Sequence, residues 1–409
     1  MHSSPRHGRC SGRQLPQAAR SSAPSAQYLE AQSLTLILPL HKIHNLHPST
    51  EPAMPPPESV EELHASVSDR PIRPARKAAQ GWYEEDLERL NDGYDERQRD
   101  GTVVHRNGLN DWLKMVPKTI EGSSLPIPGA RMIIGPHAGY FFAGKTAAWA
   151  YSVLDLQNVK RVFVLGPSHT YGLTGCAVSN FSAYATPFGN LVVDEDTVES
   201  VRKEADLDYM DHRGEKNEHS LEMHMPYLYK MCEKAFNSPD EFPTIVPILV
   251  GNNSMSESKR MAQVLLPYLR DPENAFIISS DFCHWGDRFD YMPYLPTRDI
   301  DHIEELSVGS KAPVGSPIHE SIRILDEAAM EAVESGSHEA FVNVLRKTGN
   351  TVCGRYPIGV AMAALELYSE DVEDDEKAKF KVIYYARSEE KLVDPRGSSV
   401  SYVSAYAVL

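Results

Sequence analysis

The feature that most constrains this chain is a local pattern that occurs twice. Met-Ile-Ile-Gly-Pro-His ends at His137, and Phe-Val-Leu-Gly-Pro-Ser-His ends at His169. Each reads as a short apolar strand, a turn and a histidine, because glycine admits turn conformations and proline cannot donate to a strand ladder. Helical periodicity over residues 145–154 lies between the two copies, so the unit is strand, helix, strand, with the strands parallel. Adjacent strands would lie about 5 Å apart and carry both histidines into one crevice beyond their carboxyl ends, where open α/β sheets bind ligands. A lone histidine after Gly-Pro more often caps a turn or bonds a carbonyl; two parallel copies favour a site. A third copy strengthens this, since the apolar run 276–279 leads into Ser280-Asp281-Phe282-Cys283-His284-Trp285-Gly286 and sets Asp281 and His284 just past a strand end.

The surrounding texture fits the same architecture. Short apolar strands are expected at 132–134, 162–165, 244–250 and 276–279, and continuous runs of this kind suit the central strands of a parallel sheet. Helical periodicity appears at 221–236, 256–269, 320–335, 338–345 and 358–368, giving an α/β alternation. Residues 379–385 and 399–408 alternate more strictly and predict antiparallel or edge strands at the end of the chain. Residues 1–72 differ: they are rich in Ser and Pro, lack periodicity, and are expected to be a disordered extension ahead of one domain over 73–409. Within that extension the first 29 residues carry Arg6, Arg9, Arg13 and Arg20 without an acidic residue, as a mitochondrial transit peptide does. Prolines interrupt the amphipathic helix such a peptide needs, so a cytoplasmic protein with some nuclear entry is the expectation and mitochondrial targeting the lesser alternative. Met54 offers an internal start at which a complete protein could begin.

Charge and cysteine usage exclude some classes. A net charge of −16 argues against nucleic-acid binding, which needs a basic face. The five cysteines show no paired spacing, which favours a reducing compartment over a disulfide scaffold or zinc ribbon. No apolar run approaches the roughly 18–20 residues needed to span a bilayer.

Two further segments carry chemistry. Cys353 precedes a helix expected to start near Pro357, and a helix N-terminus together with Arg355 would favour the thiolate, which binds metal or attacks as a nucleophile. A buried inert cysteine is the alternative. Residues 217–224 superficially match the helical zinc-protease motif, but His219 and His224 are five apart rather than four and would diverge on a helix by about 140°. Glu218 and Glu222 would share a helical face, which makes Glu222 and His219 candidates for lining a pocket, against a plain N-terminal cap.

These motifs together resemble the Memo family, related in fold to the class III extradiol ring-cleaving dioxygenases. The resemblance covers about residues 73–409. It rests on Gly-Trp-Tyr at 81–83, Gly-Pro-His-Ala-Gly-Tyr at 135–140, Leu-Gly-Pro-Ser-His at 165–169, Glu-His-Ser-Leu-Glu-Met-His at 218–224, Ser-Ser-Asp-Phe-Cys-His-Trp-Gly at 279–286 and Cys-Gly-Arg-Tyr-Pro-Ile-Gly at 353–359. It implies a single α/β domain with a central mixed, largely parallel sheet flanked by helices. It also implies metal ligation by His137, His169 and Cys353, with Asp281 and His284 lining the same pocket. Two departures stand out: Thr170 occupies the place where the family often has a second histidine, and Ala78-Ala79-Gln80 replaces a histidine upstream of Gly81.

What the resemblance implies for function is a protein that binds iron or copper and serves redox control and cell-motility signalling, with phosphotyrosine-peptide recognition in animals. Cys353 stands where the dioxygenases have a carboxylate, and a softer thiolate moves the site toward copper or iron and away from ring cleavage. A non-catalytic adaptor that binds a peptide or small ligand in the same concavity is the first alternative. An unassigned oxygenase or hydrolase using Asp281 or His284 as acid or base is the second. The native metal, substrate, partner and oligomeric state are not written in the sequence.

Overall fold

The computed structural model describes residues 70–370 and 377–409. The disorder and targeting expected of residues 1–69 lie outside the described residues. The chain enters at β1 (Ile72–Arg73), then builds β2 (Met132–Gly135), α1 (Tyr140–Val153), β3 (Arg161–Pro167), β4 (Cys176–Val178), β5 (Ala183–Thr186), β6 (Gly189–Val192), α2 (Glu195–Ala205), β7 (Asp208–Tyr209), α3 (His212–Asn217) and α4 (Met225–Ala235). The second half supplies β8 (Thr244–Val250), α5 (Met255–Arg270), β9 (Asn274–Ser279), β10 (Asp281–Trp285), α6 (Ile318–Glu334), α7 (His338–Thr348), α8 (Arg355–Ser369), β11 (Lys381–Arg387) and β12 (Ser399–Ala407). Smaller pieces between β1 and β2 include the hairpin Tyr94–Arg97 with Val103–Arg106.

Nine strands form a mixed sheet in the order β7-β4-β8-β3-β9-β2-β12-β10, with β11 on β12. The four central strands β8, β3, β9 and β2 are parallel, and β4, β12, β10 and β11 join antiparallel. Their burial explains the unbroken apolar runs: β9 is buried at every residue, and β3 and β8 at all but the first. Helices flank the sheet, α5 and α8 against β9 and α1 against β11 and β12. β1 pairs with β5 in a separate three-stranded sheet, so Ile72 already belongs to the folded domain, one residue before the expected boundary.

The strand–helix–strand unit is present, with one correction. β2 and β3 are parallel but not adjacent, because β9 lies between them and pairs with both. The third copy of the pattern is therefore the centre of the arrangement. Ile134, Ile278 and Leu165 share one level across the three strands, so the turns after β2, β9 and β3 leave the sheet side by side. A second correction follows Ser279. The segment with Asp281 and His284 is itself a strand, β10, bound to the first half of β12, whose last residues bind β2.

Most helices start or end within a few residues of their periodicity. The expected helix over 221–236 is the exception: residues 222–224 form one tighter turn and the α-helix starts only at Met225. Pro226 sits in its first turn, where a missing N–H costs nothing, but it cannot continue an α-helical ladder backward. Residues 218–221 are consequently free to form a loop against the end of β3, where Ser220 Oγ donates to the Pro167 carbonyl, and Glu218 and Glu222 do not share a helical face.

Candidate metal centre

The first pocket residue, His137, is buried, and its environment fixes which nitrogen is available. Its Nδ1 lies 2.6 Å from Ser279 Oγ, and that hydroxyl donates its only proton to the Ser220 carbonyl at 2.7 Å. Ser279 must therefore accept from His137 Nδ1–H, which leaves a lone pair on Nε2. Nε2 points at Cys353 Sγ, 3.2 Å away. Burial, followed by the neighbouring His169 and His219, holds the His137 pKa well below its usual value and keeps the imidazole neutral.

His169 is oriented by a different device. Glu218 accepts from its backbone N–H at 2.6 Å and contacts Nδ1 at 3.0 Å, so one carboxylate fixes both the turn and the ring. Burial opposes protonation of His169, but hydrogen bonds to Cys353 and Glu218 outweigh it and the pKa is pushed up to about 10. Burial would raise Glu218, yet the His169 contacts and three backbone N–H donors pull its pKa down overall. The pattern's Gly166 is required by packing, since a Cβ there would meet Ser220 Oγ at 2.6 Å and Leu221 at 2.9 Å.

Cys353 reaches the pocket from the turn before α8. Gly354 permits this, because a Cβ at that position would lie 2.3 Å from the Ser280 Cβ. The thiol accepts the Asp281 N–H at 3.3 Å. The expectation of an acidified thiol is corrected: burial, then the Asp281 charge, outweighs His169 and pushes the Cys353 pKa up. Arg355 does not help, since its guanidinium bonds the Val352 carbonyl and lies over the Tyr356 ring.

Asp281 is buried, with Oδ1 accepting the His137 N–H at 3.0 Å and Oδ2 3.9 Å from His137 Nε2. Burial raises its pKa to about 7 despite the backbone N–H bonds from His137 and Ala138. His284 donates from Nδ1 to the Phe282 carbonyl at 2.8 Å, leaving Nε2 with a lone pair, and burial lowers its pKa to about 4. His219 stacks on His169 with ring centroids 4.4 Å apart and also contacts Trp82 and His137. Glu222 is a correction. Its carboxylate accepts from Arg73, the Lys77 N–H and the Tyr83 hydroxyl, all buried, and so braces the scaffold instead of lining the pocket.

Ligand atoms of His137, His169 and His219 all lie within 4.8 Å of one another, as do those of His137, Asp281 and Cys353. His137 belongs to both sets. The sequence reading found His137, His169, Cys353, Asp281, His284 and His219; it missed Glu218 as the clamp on His169 and Ser279 as the group that fixes the His137 tautomer. Neither role had a local signal: Ser279 at the end of β9 meets His137 only because β9 pairs with β2, with Ser279 level with Gly135.

Fold and pocket define a mixed α/β protein with a metal-capable imidazole, thiol and carboxylate cluster at the carboxyl ends of its parallel strands. The model of the Memo-like protein family matches residues 103–406. The chain is 38% identical over 295 residues to the memo-1 homolog of Caenorhabditis elegans, covering 72% of this chain and 77% of that protein. It is 37% identical over 296 residues to human protein MEMO1, covering 72% and 89%, and 39% identical over 299 residues to a MEMO1 family protein of Schizosaccharomyces pombe, covering 71% and 92%. This chain belongs to the Memo family.

Proposed function

We propose that the protein binds iron or copper through His137, His169 and Cys353 and acts in redox control, with the cell-motility signalling that the family resemblance implies. The carrying observation is the lone pair of His137 Nε2, freed by Ser279 and aimed at Cys353 Sγ. The donor set suits such an ion: two oriented imidazoles and a thiol favour copper, iron or zinc over magnesium or calcium. A bound iron or copper ion would supply one-electron chemistry. The chain's own part is to orient the ligands through Ser279 and Glu218 and to hold Asp281 beside them as a proton-exchanging group near neutral pH. That carboxyl supports a second reading, an oxygenase or hydrolase with Asp281 as acid or base; turnover in a substrate screen that vanishes in Asp281→Asn would favour it.

Elemental analysis of protein purified without added ions is the test. Stoichiometric iron or copper is expected, with His137→Ala and His169→Ala weakening both ions and Cys353→Ser weakening Cu(I) most. Folded variants that bind both ions as tightly as wild type would reject the site and favour the adaptor reading. We further place the protein in the cytosol with entry into the nucleus, a reading supported by Cys176, Cys232, Cys283 and Cys353 being free thiols. A C-terminally tagged full-length fusion that collects in mitochondria, and ceases to when residues 1–29 are removed, would overturn that placement.

A further inference from the structure

The three-histidine set in the same pocket has a composition of its own. His137, His169 and His219 bring three imidazoles within 4.8 Å without any contribution from Cys353. His219 comes from the loop that Pro226 keeps out of the following helix, and its ring packs against His169 at 4.4 Å, Trp82 at 4.7 Å and His137 at 5.3 Å. Glu218 serves both rings of that pair. Its Oε1 lies 3.0 Å from His169 Nδ1 and 3.4 Å from His219 Nδ1, and it also accepts the His219 backbone N–H at 2.8 Å. A carboxylate behind a histidine is the arrangement that orients imidazole ligands in metal sites. Here one carboxylate stands behind two.

We propose that His219 completes a second ligand set, His137–His169–His219, which takes a borderline divalent cation of the Zn(II) class independently of Cys353. Imidazole nitrogens suit zinc and the neighbouring divalent ions, and three histidines with an open fourth position form a complete set of protein ligands for zinc. Cys353 and Asp281 define the other side of the pocket, where the thiolate favours softer Cu(I). Because His137 is shared, one pocket holds one ion at a time, and the occupant selects the side. Thiol chemistry at Cys353 then changes which metal the protein prefers without abolishing metal binding. This inference rests on the reading of the pocket as a metal centre.

The experiment is calorimetric titration with Zn(II) alone and, separately, competition for Cu(I). The proteins are wild type, Cys353→Ser, His219→Ala and His219→Gln, with circular dichroism to confirm folding; the glutamine variant conserves volume if alanine unfolds the loop. Cys353→Ser is expected to retain one equivalent of Zn(II) within about threefold of wild type while losing Cu(I). Both His219 variants are expected to lose at least about tenfold in Zn(II) affinity, ~1.4 kcal/mol, while retaining Cu(I). Zn(II) affinity lost in Cys353→Ser together with Cu(I), and unchanged in the His219 variants, would overturn the second set and leave the thiolate site standing. Folded wild type that binds neither ion would overturn both.

Discussion

Two buried polar clusters lie within a few residues of each other in this protein, and only the second gathers ligand atoms that could hold a metal ion. In the first, Arg73 gives its guanidinium to the carbonyls of Glu215 and Glu218 and to the Glu222 carboxylate, which also accepts from Lys77 and Tyr83. Glu215 is occupied in turn by Ser179, Tyr184 and the Asn180 N–H. Every group there spends its hydrogen bonds on the fold. In the second cluster, Ser279 and Glu218 occupy only the far nitrogens of His137 and His169, and the near ones converge with Cys353. Burial of charge is common to both. What separates them is ligand atoms that the scaffold does not use and that gather in one pocket, and Glu218 links the two, its carbonyl held by Arg73 and its carboxylate holding His169.

The sharpest way to break this comparison is at its structural half. Arg73→Met should lose about 3–5 kcal/mol in urea unfolding, because it strands the Glu222 carboxylate without its charge partner. His137→Ala removes a neutral ring and should stay within the usual range of about 0.5–3 kcal/mol. Equal losses would show that both clusters are scaffold.

Next in size is a pH effect in the pocket, measured on metal-free protein. The folded pKa of Asp281 is raised from 3.8 to about 7, so its protonated form is favoured and its contribution is present below the unfolded value and lost as pH rises through 7. Asp281→Asn should therefore stabilise the protein above pH 7 by up to a few kcal/mol, at roughly 1.4 kcal/mol per pH unit of the window. That advantage should disappear as pH falls toward 4. Glu218, with a lowered pKa, should behave oppositely: the cost of Glu218→Gln should shrink in acid. Unfolding curves at several pH values that show no such crossing would sink this account.

A smaller effect separates the two carboxylates in metal binding. Glu218→Gln should weaken metal about 10- to 100-fold through loss of ring orientation, whereas Glu222→Gln, if folded, should leave affinity unchanged. Comparable weakening in both would place Glu222 in the site after all. At the bottom of the scale is the exposed pair Lys160–Glu273, whose removal by Lys160→Ala should cost no more than about 1 kcal/mol and leave metal binding as it was.

The sequence by itself determined the central strands, the last two strands and most of the longer helices. Unbroken apolar runs marked β3, β8 and β9, strict alternation marked β11 and β12, and the three strand–turn motifs named His137, His169, Asp281 and His284, all because periodicity and turn chemistry are local properties. Strand order was not local. Nothing near residue 279 says that β9 inserts between β2 and β3, yet that insertion brings Ser279 to His137 and sets its tautomer. Nor does the spacing of Glu218 and Glu222 reveal that Arg73, some 145 residues earlier, holds the Glu218 carbonyl and claims the other carboxylate. The Cys353 thiol tells the same story: its neighbours in sequence argued for a thiolate, and burial beside Asp281 reversed the direction. Which lone pairs remain free depends on partners brought from a distance, and only the tertiary structure supplies them.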